Sequence, residues 1–78
     1  MRLCADQRRV LDLLDAGSPR GLTEDVLFAR GFTLETLIGL VTEGLASVET
    51  ERVRSGRRTI EVGRMQITDA GRRALKAG

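Results

Sequence analysis

At 78 residues with a net charge of +2, one cysteine and no histidine, tyrosine or tryptophan, the chain is expected to form one domain with a single small core, near the size where stability is marginal. Cys4 cannot close a disulfide within the chain, no CxxC or histidine set suggests zinc, and the usual parts of general acid-base or nucleophilic chemistry are missing. No apolar run approaches the roughly 20 residues that span a bilayer and the start MRLCADQRR lacks a signal-peptide core, so the expectation is a non-catalytic cytoplasmic protein without cofactor, metal or membrane.

The charge is unevenly spread. Residues 1–50 hold five arginines against eight acids, a net −3, whereas residues 51–78 hold eight basic residues against three acids, a net +5. Such polarity suits a domain that presents one end to an anion.

In chain order, the first expected helix runs from about Ala5 to Ala16, with Val10, Leu11 and Leu14 on one face and Gly17 as its stop. Ser18-Pro19-Arg20-Gly21 is a turn by composition, and a short strand is expected at Arg20 to Leu22. The second helix begins after Thr23, read as its N-cap, with Glu24 and Asp25 in the turn where the helix dipole favours acids. Val26 and Leu27 are read as pointing inward with Phe28 and Ala29 alongside. Arg30-Gly31-Phe32 forms the turn to a third helix, Gly31 taking the left-handed conformation.

Thr33 caps that third helix, and Leu34, Leu37, Leu40 and Val41 recur at steps of three and four as its buried stripe. Glu35, Thr36, Gly39 and Thr42 are then left to face out, with Ile38 at the edge of the core. Gly44 ends the helix and Leu45 returns to the core. Phe28, Phe32 and Met65 are also read as core, and with only two aromatics stacking on single-stranded bases is not expected.

From Ala46 to Ile67 β-branched and polar residues alternate around Ser55-Gly56, which predicts a hairpin. Ile60 and Val62 share one parity and Met65 and Ile67 the other, so a bulge is expected at Gly63-Arg64. Thr68 caps a last helix from Asp69 to about Ala77, with Arg72, Arg73 and Lys76 read as last-turn cations. The order α-α-α-β-β-α is that of a small α+β winged helix: a three-helix helix-turn-helix core, a two-stranded wing and a short C-terminal helix.

Three segments resemble the MarR/PadR-like winged-helix regulators. Leu3-Cys4-Ala5-Asp6-Gln7-Arg8-Arg9-Val10-Leu11-Asp12-Leu13-Leu14 is similar to the family's first helix, with Cys4 where the family has a capping hydroxyl. Leu40-Val41-Thr42-Glu43-Gly44-Leu45 resembles the end of its recognition helix. Ile67-Thr68-Asp69-Ala70-Gly71-Arg72-Arg73-Ala74-Leu75 resembles the helix after its wing. The resemblance implies a DNA-binding transcriptional regulator whose third helix enters the major groove while the wing touches the adjacent backbone.

On that reading the candidate DNA-binding residues are Arg30, Thr33, Thr36 and Thr42, with Arg52, Arg54, Arg57, Arg58 and Arg64 of the hairpin contacting phosphates of double-stranded DNA or inserting into a narrow minor groove. The alternative for the hairpin is a solvated tip, in which Glu49, Glu51 and Glu61 pair across the strands and leave only Arg54, Arg57 and Arg58 free. The third helix offers no arginine, lysine, asparagine or glutamine, the side chains behind most bidentate base contacts. That gap supports a second functional reading, a protein-interaction module using Glu35, Ile38, Gly39 and Glu43. A homodimer stays open, since many DNA-binding winged helices need two copies to read a palindrome.

Overall fold

The computed structural model describes residues 3–77. In chain order they form α1 (Ala5–Ala16), β1 (Leu22–Thr23), α2 (Glu24–Ala29), α3 (Leu34–Thr42), β2 (Ala46–Ser55), β3 (Arg58–Ile67) and α4 (Asp69–Ala77). The chain is therefore a small α+β protein. Its strands make one antiparallel sheet in the order β1-β3-β2.

α1 starts with a capping box in which sulfur takes the place of a hydroxyl. The Gln7 amide donates to Cys4 Sγ at 3.4 Å while the Cys4 amide donates to Gln7 Oε1 at 3.1 Å, so two of the helix's orphan donors are satisfied reciprocally. Val10, Leu11 and Leu14 are buried as their spacing predicts. The chain then turns through Gly21, whose φ of +74° suits glycine. A Cβ there would run into the Met65 carbonyl oxygen, so this glycine lets Leu22 and Thr23 lie against Met65 and Arg64 of β3. The short strand thus sits slightly later than Arg20–Leu22.

α2 has only 6 residues and buries one of them, Leu27. At about 100° per residue the neighbours of a single inward position swing to its sides, and Val26 and Phe28 are exposed rather than in the core. Thr23 holds the N-cap position without a side-chain cap bond. The turn that follows is as expected: Gly31 has φ +92°, and Phe32 is partly buried against the core.

Thr33 caps α3 by accepting the Thr36 amide at 3.3 Å. Leu37 and Leu40 are buried, but the predicted stripe is not the observed one: Leu34 is 56% exposed, Ile38 54%, and Val41 is exposed too. The helix turns its Gly39 side inward instead. The first turn of α1 packs beside Gly39, where a Cβ would meet Gln7 Nε2 at an ordinary contact distance of 3.4 Å. Thr36 and Gly39 become half-buried, and Leu34, Ile38 and Val41 line the outer edge at i, i+4 and i+7.

Gly44, at φ +76°, ends α3, and Leu45 returns to the core with Ala46, Met65 and Ile67. Thr68 joins the two ends of the fold. Its hydroxyl accepts the Gly71 amide at 3.1 Å, capping α4, and donates to the Gly44 carbonyl at 2.6 Å. α4 packs on the Leu45 backbone so closely that a Cβ on Gly71 would overlap the Leu45 carbonyl oxygen.

Of the basic residues in α4 only Lys76 falls in the last turn. Arg72 lies earlier and acts as a clamp, meeting Asp15 at 3.2 Å, Asp69 at 3.4 Å and Ser18 Oγ at 2.6 Å. The C-terminal carbonyl of Leu75 receives its cation from another helix, Arg8 of α1, at 3.3 Å.

β2 and β3 pair without interruption from Ala46↔Ile67 to Ser55↔Arg58. No bulge occurs at Gly63–Arg64. The change of parity between Ile60-Val62 and Met65-Ile67 marks where the sheet leaves the helices: the near part has a core to face, the far part has none. The projecting ribbon stretches the molecule to 46 × 22 × 20 Å with a radius of gyration of 12.9 Å, above the roughly 11.5 Å of a compact chain of this length.

Two glycine-to-alanine changes of opposite sign test this packing. Gly71→Ala is expected to destabilise the fold by about 1–3 kcal/mol through overpacking against backbone. Gly39→Ala meets only the end of a flexible glutamine and is expected to stabilise by up to about 1 kcal/mol through helix propensity. Urea unfolding followed by circular dichroism reads both.

Candidate nucleic-acid interface

Because side chains alternate along a strand and paired residues share a face, the unbroken register sorts the hairpin arginines. Arg52 and Arg54 lie on the face of Val48 and Met65, while Arg58 and Arg64 lie on the opposite face with Val53, Ile60 and Val62. Arg57 sits in the turn with Gly56, whose φ is +62°.

The arginines also differ in what holds them. Arg64 lies where all three strands run side by side, opposite Thr23 and Glu49. It is half-buried and meets Glu51 at 3.3 Å through both Nε and a terminal nitrogen. The Nε contact lacks the angle of a hydrogen bond, so the pair is electrostatic with one aligned donor. Arg64 is thus occupied within the sheet and poorly placed for phosphate. Arg52 approaches Glu61 at 3.7 Å with 77% of its side chain exposed, a contact worth at most about 1 kcal/mol and easily exchanged for another anion. Arg54, Arg57 and Arg58 are exposed and make no ion pair among the described residues.

The remaining candidates do not gather around the hairpin. Thr33 and Thr36 are 3.0 Å apart, oxygen to oxygen, and both serve the α3 cap, so their hydroxyls are engaged locally. Thr42 is exposed. Arg30, at the end of α2, shares a shallow depression of about 400 Å³ with Arg9, Asp12, Leu13 and Phe32, which groups it with α1. A continuous positive face from Arg30 across α3 to the hairpin is therefore absent among the described residues: α3 carries Glu35 and no cation.

Between α3 and β2 lies a second depression, of about 180 Å³, lined by Leu34, Leu37, Ile38, Val41, Thr42, Val48 and Met65 with Glu24 at its edge. The Glu24 carboxylate lies over Gly63, where any Cβ would collide with it. The depression is smaller than the roughly 300–1,000 Å³ of small-molecule sites, and its lining is almost wholly apolar. Leu34, Val41 and Val48 were not legible as surface residues. The one available signal was Gly39, a residue without a side chain on the face assigned to solvent.

Among the described residues no group of three or more His, Cys, Asp or Glu side chains is placed to hold a metal ion, and no helix is long and apolar enough to cross a membrane. Comparison of the chain with known protein families, curated proteins and solved structures finds no match.

The arginine sorting has a stability signature. Arg64→Ala is expected to cost about 1–2 kcal/mol, because a half-buried pair at the centre of the sheet is lost, whereas Arg54→Ala and Arg57→Ala should fall within about 0.5 kcal/mol of the parent. Thermal unfolding of the three variants separates these outcomes.

Proposed function

We propose that this chain is a non-catalytic DNA-binding protein of winged-helix type, a transcriptional regulator or mobile-element accessory protein, whose projecting hairpin is the wing. The observation that carries the reading is the cluster of exposed arginines, without ion-pair partners among the described residues, at and beside the turn of a ribbon that stands clear of the body. Arginine in such a position is free to make charge-assisted, bidentate hydrogen bonds to phosphate oxygens without first giving up an internal ion pair. Arg54 and Arg57 are the main contacts, with Arg52 joining them by giving up its loose contact with Glu61.

Base reading is not part of the proposal. The α3 hydroxyls of Thr33 and Thr36 bond each other and its exposed edge is apolar, so binding is held by phosphate charge and is largely independent of sequence. Three phosphate contacts predict a slope of about −3 in log K against log salt concentration.

The test is fluorescence anisotropy of a labelled random-sequence duplex titrated with the protein at several salt concentrations, repeated with the double variant Arg54→Glu, Arg57→Glu. The expected result is binding that weakens with that slope and is lost in the variant. Undiminished binding by the variant would overturn the assignment to the hairpin. Absence of binding at low salt would shift the function to the second reading, a protein-interaction module, which is favoured by the exposed apolar edge of Leu34, Ile38 and Val41.

A further inference from the structure

The apolar depression between α3 and β2 and two of the ribbon's arginines open to one side of the sheet. Val48, which lines the depression with Met65, shares its parity on β2 with Arg52 and Arg54. From Val48 those arginines follow at roughly 14 and 20 Å along the strand, at about 3.4 Å per residue. The rim of the depression is the outer edge of α3, where Leu34 and Ile38 are 56% and 54% exposed and Val41 is exposed beside them.

What this side can receive is limited by size and charge. At about 180 Å³ the depression is small for an organic ligand, and its apolar lining offers nothing to an ion. Carboxylates stand nearby: Glu24 over Gly63, Glu61 opposite Arg52 and Glu35 in the first turn of α3. With no cation of its own, α3 therefore adds no electrostatic hold on a polyanion. Its aliphatic methyl groups are what it has to add. On duplex DNA the phosphates border a major groove about 12 Å wide, which admits a helix, and the apolar feature in that groove is the C5-methyl of thymine.

We infer that the Leu34-Ile38-Val41 edge of α3 lies in the major groove next to the phosphates held by Arg52 and Arg54, and that it packs on thymine methyls. The inference rests on the nucleic-acid reading and adds a modest preference to a complex held by charge. Burial of one methyl corresponds to about fourfold in affinity, small beside the phosphate contribution, so binding stays largely insensitive to sequence while favouring methyl-bearing steps.

Fluorescence anisotropy with the unaltered protein tests it on four duplexes in two pairs. One A·T-rich sequence carries thymine or, at each such position, uracil; one G·C sequence carries cytosine or 5-methylcytosine. Within each pair only the major-groove methyl changes. Binding is expected to be about fourfold tighter or more to the methylated member of each pair, with the same salt slope, since the phosphate contacts are unchanged. The double variant Leu34→Ala, Ile38→Ala should bind the members of each pair alike, at about the affinity of the parent for the unmethylated one. Equal binding within both pairs, with binding still lost in Arg54→Glu, Arg57→Glu, would overturn the inference and leave the phosphate reading standing. A preference for thymine without one for 5-methylcytosine would also overturn it, because groove shape and not the methyl would then be read. So would a methyl preference that survives in the α3 variant. No binding to any of the four at low salt would overturn the inference and the nucleic-acid reading together. Both substituted positions are exposed and alanine favours helix, so circular dichroism should show the variant folded; the comparison within each pair does not depend on it.

Discussion

The constraint on which the rest of the molecule depends is the unbroken alternation of β3. It is the central strand, paired with β1 on one side and β2 on the other, and side chains on a strand change face at every residue. Met65 and Ile67 are buried against the helices, and once they are placed the faces of all the residues toward the tip follow. Gly63 passes beneath Glu24, Arg64 is held by Glu51, and Ile60 and Val62 end up on the side away from the core. A bulge at Gly63 would have brought Ile60 round to the core face. With no helix over the distal ribbon, nothing would be gained by it.

The helices adapt to this sheet by close approach rather than by large side chains. Gly21 lets the β1 segment reach the Met65 backbone, and Gly71 lets α4 lie on Leu45. Polar contacts then lock the ends. Thr68 joins the end of α3 to the start of α4, and Arg72 joins α4 to the end of α1 and the Ser18 turn. α3 turns Leu37 and Leu40 to the core and leaves Leu34, Ile38 and Val41 exposed on its other side.

Local chemistry was legible in the sequence. The bounds of α1, the cap at Thr33, the left-handed Gly31, the helix stop at Gly44, the hairpin and the Thr68 cap each depend on a few neighbouring residues, and each is found. Cys4 stands as a cap where a hydroxyl was the familiar choice. What depends on tertiary packing was not legible. Helical spacing cannot say which of the apolar positions on α3 meet the core and which are left at its edge. Nor can it show that α2 is too short to bury both Val26 and Leu27. For the candidate site, the exposed arginines at the tip were readable as a cluster. That Arg64 is engaged inside the sheet, that Arg58 belongs to the opposite face and that Arg30 groups with α1 required the register and the fold.

The functional reading rests on this geometric root, a ribbon with Arg52 and Arg54 toward one side and Val53, Ile60 and Arg58 toward the other. Nuclear Overhauser contacts between the backbones of residues 46–55 and 58–67 test that root most directly. The account predicts one continuous antiparallel ladder, with Glu49 opposite Arg64, Thr50 opposite Gly63 and Val53 opposite Ile60. A ladder broken at Gly63–Arg64, with Ile60 on the same face as Met65, would contradict it and bring Ile60 onto the face of Arg52 and Arg54.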